Sequence, residues 1–354
     1  MTSLDSIDEV KKIDSNNVAG SIQAFDDQLN SAWEEMKSVD IPTEYRNVKN
    51  IVVSGMGASA LGAHFVRRVY DLSLPLQIVN NYALPAFVNS DTLLIVSSYS
   101  GNTEETLSTF ADGQKKSAKI FGISTGGKLV EELKNARLPF YQFDPKFNPS
   151  GQPRMGLGYS IGALLGFFTK LGFLNISDGD IEKVLNSIKK VQFGLEVPKE
   201  KNQAKTVAAA LHGKIPVIFA AEFLVGNAHI FANQINENAK SFATYFKVPE
   251  ANHHLLEGIS FPDKLKEIAK FVFLETENYD SKIQKRFAVT KDLLAKKGLE
   301  YVTYKLSGVE RQTDAFEAII FSSWISFYLA VLYETNPGPI PNVDFFKDQL
   351  SKFA

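Results

Sequence analysis

From residue 50 to about residue 143, short apolar runs rich in β-branched side chains alternate with segments whose apolar positions recur at helical spacing. The runs are NIVVSGM, LQIVNNY, TLLIVSSYS, AKIFGIST and LPFYQF. Runs that are apolar without alternation predict strands buried on both faces, which is the signature of a parallel sheet covered by helices. A second series begins near residue 205 with KIPVIFAAE, SFATYF, KFVFLET and LEYVTYKL, again separated by helix-like segments. The pattern predicts an α/β protein with two successive parallel sheets flanked by helices, although no residue-level repeat relates the two halves. Between them, SDGDIEKVLNSIKKVQFGLEVPKEKNQ reads as a polar helix running into a linker at Pro198. The expected division is an N-terminal helical segment over 1–29, a first domain over 30–180, a connecting helix and linker over 181–204, and a second domain with a C-terminal helix over 205–354.

The most apolar stretch, AIIFSSWISFYLAVLY from Ala318 to Tyr333, has 16 residues and three serines. A bilayer span needs about 20 apolar residues, so this segment is expected to be a buried core or interface helix. The 354 residues suffice for two cores, and the net charge of −2 gives no basis for nucleic-acid or membrane-surface binding. The absence of cysteine excludes disulfides, thiolate metal sites and a cysteine nucleophile. With a polar N-terminus lacking an apolar signal core, the expected location is the cytoplasm.

Ligands of open parallel sheets sit beyond the carboxyl ends of the strands. Two such loops are rich in small and hydroxylated residues: VVSGMGASALG, with Gly57, Ala58 and Ser59, and SSYSGNTEET, with Ser98, Ser100 and Thr103. Each has an ordinary explanation as turn chemistry, with Asn102 and Glu105 as a helix-capping pair. Together they could surround a phosphate with backbone N–H groups and hydroxyls. The first loop lacks the third glycine of a dinucleotide fingerprint, and neither loop has a P-loop lysine, so a small phosphorylated sugar is the expected ligand rather than a nucleotide.

SSYSGNTEET resembles the phosphosugar loop of sugar isomerase (SIS) domains, and GMGASA resembles the loop some forty residues upstream of it. GQPRMGLGYSIGALL, INENAKSFATYFKVPEANHH and SFYLAVLYETNPGPIPNVDFFKDQL are similar to segments of the bifunctional phosphoglucose and phosphomannose isomerases. The resemblance spans roughly residues 30–350, with NENAK the most specific motif. It implies two tandem SIS-type domains and reversible isomerisation of glucose 6-phosphate, and of mannose 6-phosphate, to fructose 6-phosphate, without metal or organic cofactor. It also implies site roles: Glu237 as the proton-transfer base, Arg154 as the cation that stabilises the enediolate, His253 as the proton shuttle of ring opening, and Lys347 near the ring oxygen. The phosphate would be held by Gly57, Ala58, Ser59, Ser98, Ser100 and Thr103, with Arg154 also counted among the substrate contacts. In this family the histidine comes from the neighbouring subunit, so a homodimer is implied in which His253 completes the partner's site.

His253 and His254 are adjacent and point in different directions, which disfavours a metal pair. His254 stands where the family often has asparagine and receives no role. Three departures stand out: Ala58 replaces a usual glycine, AHIFANQ lacks the basic residues common before NENAK, and Gly338 stands where a threonine linked to tolerance of both C2 epimers is frequent. A non-catalytic sugar-phosphate sensor is the rival reading, but the first 45 residues offer no basic helix-turn-helix. An amide-transferring relative would need a glutaminase nucleophile, for which the chain has no cysteine.

Overall fold

The computed structural model describes residues 4–200 and 202–353. Three helices open the chain, α1 (Ile7–Ile13), α2 (Val18–Gln23) and α3 (Phe25–Met36). The first sheet region runs β1 (Asn50–Ser54), α4 (Ala58–Val69), β2 (Leu76–Val79), β3 (Thr92–Ser97), α5 (Glu104–Lys115), β4 (Lys119–Ser124), α6 (Gly127–Asn135) and β5 (Phe140–Gln142). Helices α7 (Leu157–Lys170), α8 (Asp178–Leu195) and α9 (Gln203–Leu211) lead to the second: β6 (Ile215–Ala221), α10 (Val225–Gln234), β7 (Thr244–Val248), α11 (Ala251–Gly258), α12 (Leu265–Ile268), β8 (Ala269–Glu275), α13 (Ser281–Lys296) and β9 (Tyr301–Lys305). The long α14 (Arg311–Leu332) and the terminal α15 (Pro341–Leu350) follow. All nine apolar runs form strands. The boundaries expected at 29/30 and 180/181 fall inside α3 and α8, so both helices are continuous through them.

Every strand pair is parallel, in the orders β2-β1-β3-β4-β5 and β7-β6-β8-β9. The second sheet repeats the winding of the first with one strand fewer, which is the duplication that the spacing of apolar runs predicts. The unbroken apolar character of the strands has a direct cause in packing. Ile51, Val53, Leu93, Ile95, Phe121 and Ile123 face the main core, whereas Val52, Leu94, Val96 and Ile120 face a smaller core closed by Phe110 of α5 and Leu129 and Leu133 of α6. Alternate residues thus enter different apolar layers, and no position along β3 is left for a solvated side chain.

In both sheets the chain steps from its first strand to one side and then returns to the other. The crevice created by that reversal, at the carboxyl ends of β1 and β3, is where ligands of such sheets bind. The two hydroxyl-rich loops leave those two strands. The apolar segment near the C-terminus becomes α14, buried from Thr313 to Val331. Its serines satisfy themselves and their neighbours: Ser322 and Ser323 donate to the Ile319 carbonyl at 2.9 and 2.8 Å. Gln234 donates to Ser323 and Asn238 to Ser326, both at 2.9 Å, which ties the end of α10 to α14.

Candidate active site

The loop after β1 turns at Gly57, whose φ of +48° lies in the region that favours glycine, and delivers Ala58 and Ser59 to the first turn of α4. The loop after β3 turns at Gly101, also left-handed, where a Cβ would lie 1.8 Å from the Gly126 carbonyl oxygen. Neither α4 nor α5 has a side-chain cap; the Ser59 and Ala60 N–H groups already donate to the Met56 and Gly57 carbonyls at 3.1 and 3.0 Å, which leaves the Ala58 N–H and the first turn of α5 to face an anion. The capping pair expected of Asn102 and Glu105 does not form. Thr103 occupies the N-cap position of α5, and Asn102 instead accepts from the Lys128 N–H at 3.1 Å, reaching the start of α6.

The hydroxyls divide by role. Ser98 is buried, accepts from the Gly101 N–H at 3.1 Å and shares a 2.9 Å hydrogen bond with Thr103. It braces the turn, whereas Ser100 is exposed and Thr103 half-buried. Ser59 accepts from the Tyr99 N–H at 3.0 Å, which joins the two loops and leaves its own hydroxyl proton free to donate. Ala58, Ser59 and Tyr99 also border a cavity of about 20 Å³ with Pro153 and Gly156, the residues that flank Arg154. The cradle and the Arg154 segment are therefore neighbours.

Glu237 lies in a widened π turn, Ile235–Ala239, that prolongs α10 and ends at Lys240 in the left-handed conformation. Such turns re-aim side chains and occur often at functional sites. The Glu237 Oε2 is 3.4 Å from an Arg154 terminal nitrogen; the glutamate side chain is 28% exposed and the arginine 0%. Burial raises the Glu237 carboxyl above the usual carboxylate range, opposed by Arg154 and, more weakly, by Lys240 and Lys347.

All five N–H groups of Arg154 are occupied. Its Nε donates to Asn238 Oδ1 at 2.5 Å, one terminal nitrogen donates to Gln152 Oε1 at 3.0 Å and to Glu237 at 3.4 Å, and the other donates to the Pro337 and Gly338 carbonyls at 2.6 and 2.7 Å. The Glu237 contact is the longest of the five. The guanidinium is thus a fixed buried charge that faces the open site through the carboxylate, and it grips the Gly338 region through two backbone carbonyls.

Lys347 is exposed on α15, a helix with no buried residue, and its charge reaches Glu237. His253 is exposed on α11 and forms no hydrogen bond with Glu237 or Arg154 among the described residues. The fold of one chain therefore unites the cradle, Arg154 and Glu237, with Lys347 at longer range, and leaves His253 facing outward. Two neighbours received no role from the sequence. Gln152 orients Arg154, and Lys240 donates to the Asn238 and Asn336 carbonyls at 3.0 and 2.5 Å, its pKa pushed down to about 8 chiefly by burial and also by Arg154. Both stand inside the GQPRMG and NENAK motifs, but only the fold shows what they touch.

A hydroxyl cradle at the switch point of a parallel sheet, beside a carboxylate of raised pKa backed by a buried cation, defines a phosphosugar isomerase of the SIS type. The family described as bacterial phospho-glucose isomerase C-terminal SIS domain matches residues 200–350. The chain is 35% identical to a bifunctional phosphoglucose/phosphomannose isomerase of Caldicellulosiruptor bescii, over 94% of this chain and 98% of that one. It is 30% identical to the Aquifex aeolicus protein of the same name, over 91% and 95%. The fold is shared with a hypothetical protein of Thermus thermophilus, with a TM-score of 0.71 and 17% identity over 94% of this chain and 90% of that one. The chain belongs to the bifunctional phosphoglucose/phosphomannose isomerase family.

Proposed function

We propose that the protein interconverts glucose 6-phosphate, and mannose 6-phosphate, with fructose 6-phosphate by proton transfer through an enediolate. The observation that carries the reading is the pair formed by Glu237 and Arg154. A base near neutrality is suited to moving a carbon-bound proton, and burial raises Glu237 towards that range. The 6-phosphate lies in the cradle of Ala58, Ser59, Ser100 and Thr103, with Gly57 and Ser98 shaping the turns. In the open-chain aldose, Glu237 removes the C2 proton; that electron pair forms the C1–C2 double bond, and the carbonyl oxygen at C1 takes up the charge. Protonation at C1, with transfer of the O2 proton to O1, gives the ketose. Glucose and mannose epimers yield the same enediolate, and one base serves both where rotation about C2–C3 turns the opposite face of C2 towards Glu237.

Arg154 stabilises the enediolate in this reading as a fixed charge, and the Glu237 contact is the one that can be exchanged for a substrate oxygen without breaking the other four. Ring opening falls to His253 of the neighbouring subunit in a homodimer, with Lys347 near the ring oxygen. The outward-facing His253 supports that division, as do Phe345 and Phe346 of α15, which are 67% and 63% exposed and have no apolar cover in one chain. The reading includes a cytoplasmic location and requires no metal or organic cofactor.

The test is to incubate EDTA-treated protein with fructose 6-phosphate and to detect glucose 6-phosphate and mannose 6-phosphate separately. Both products are expected. Glucose 6-phosphate alone would restrict the function to one epimer, and neither product, with fructose 6-phosphate still raising Tm, would favour the sensor. Mixing Glu237→Gln with His253→Gln chains tests the shared site: each variant is inactive alone, and random twofold dimers restore roughly a quarter of wild-type activity, since half the dimers carry one intact site. No recovery, or a His253→Gln dimer active by itself, would reject that arrangement.

A further inference from the structure

We infer that a second anion site, distinct from the phosphosugar cradle, lies where the C-terminal half of α4 meets the edge strand β7 and the start of α11. A cavity of about 360 Å³ is lined there by Arg67 and Arg68 of α4, Lys247 of β7 and Glu250, with His64, His229, Tyr245, Phe246 and His254 forming its walls. Three permanent cations face one carboxylate in a protein whose net charge is −2. None of the three cations is ion-paired among the described residues.

The helix dipole explains two of these charges, since arginines in the last turn of α4 favour its C-terminus. It does not explain Lys247, which comes from another element, nor three buried polar atoms that lack partners. Arg67 Nε, His64 Nε2 and His229 Nδ1 are all buried without a hydrogen-bond partner among the described residues. Buried polar atoms ordinarily find partners, so a cluster of three around one cavity marks a place that a ligand completes. The His64 and His229 rings meet edge to face at 4.6 Å, and His229 stacks on Tyr245 at 5.0 Å, so the walls are held by packing.

The ligand class is a small multivalent phosphate: an oxyanion large enough to reach Arg67, Arg68 and Lys247 together, or the phosphoryl end of an organic phosphate. Arg67 and Arg68 stand at the opposite end of α4 from Ala58 and Ser59, and the lining residues of α10, Val225, Gly226 and His229, precede the turn that carries Glu237. His254 and Glu250 belong to α11 and the turn before it, the segment that carries His253. On the reading of His253 given above, an anion bound here would fix the helix that completes the partner's active site.

Inorganic pyrophosphate, titrated calorimetrically in the presence of saturating fructose 6-phosphate, tests the site with the cradle already filled. One pyrophosphate per chain is expected, with affinity at least tenfold weaker in Arg68→Ala and in Lys247→Met. Both positions are exposed, so both variants should keep the wild-type Tm and basal activity. Absence of binding under these conditions, or affinity unchanged in both variants, overturns the site. Pyrophosphate displaced by fructose 6-phosphate would assign the binding to the cradle instead.

Discussion

Arg154→Met should shift the acid limb of the pH profile of kcat/KM upwards. In the proposed mechanism Glu237 acts as a base only when ionised, and burial already raises its pKa; Arg154 is the largest influence that holds it down. An opposite charge at such range favours the ionised carboxylate and lowers its pKa. Removing the guanidinium 3.4 Å from Oε2 therefore moves the limb to higher pH, and activity at pH 6 falls far more than activity at pH 9. The same substitution leaves the Pro337 and Gly338 carbonyls and Asn238 Oδ1 without their donors, and breaking a buried charge pair costs about 3–5 kcal/mol, so Tm should fall as well. Arg154→Lys separates the two effects. It keeps the charge but not the fork, so the limb should stay near its wild-type position while stability still drops. The assay is a coupled measurement of glucose 6-phosphate formation from pH 5 to 9, with Tm recorded at each pH. A folded Arg154→Met enzyme whose acid limb coincides with wild type would refute the electrostatic role.

Glu237→Gln should reduce kcat by about 10²–10⁴-fold while fructose 6-phosphate binding, followed by calorimetry, changes only a few-fold; equal loss of binding would argue against its role as base. Ser100→Ala should raise KM about tenfold with kcat nearly unchanged, because a hydroxyl contact to the phosphate is shared by ground and transition states. A fall in kcat alone would place Ser100 elsewhere. Lys240, with its pKa pushed down to about 8, loses its charge beside Glu237 and Arg154 as pH rises through that value. An alkaline decline in kcat/KM centred there should shift to higher pH in Lys240→Arg, which remains charged, and an unmoved limb would exclude Lys240 as its origin.

The strands were legible because burial on both faces leaves no polar positions in them, and a parallel sheet has few other ways to be written. The two hydroxyl loops were legible because they follow β1 and β3 directly, so local sequence already carried their place at the switch point. Pairing across the fold was not legible. Arg154 and Glu237 are 83 positions apart, and Pro337 and Gly338 lie more than 180 positions from Arg154. No periodicity links such residues, and the motif resemblance named Arg154 as a substrate contact without indicating that all its donors are spent inside the protein.

The serines of α14 show how one feature can be read correctly for the wrong purpose. In the sequence, Ser322, Ser323 and Ser326 only weaken the case for a membrane helix. In the fold, Ser323 and Ser326 receive Gln234 and Asn238, which bracket Glu237 on the turn that ends α10. Asn238 in turn accepts from Arg154, so the chain of contacts runs from the core helix through the asparagine to the guanidinium and then to Glu237. A buried cation is costly unless every donor is met, and meeting all five here fixes three segments far apart in sequence around one carboxylate. The polar interruptions of the most apolar helix are thus part of what places Glu237, which is why that helix could not be more uniformly apolar without loosening the site.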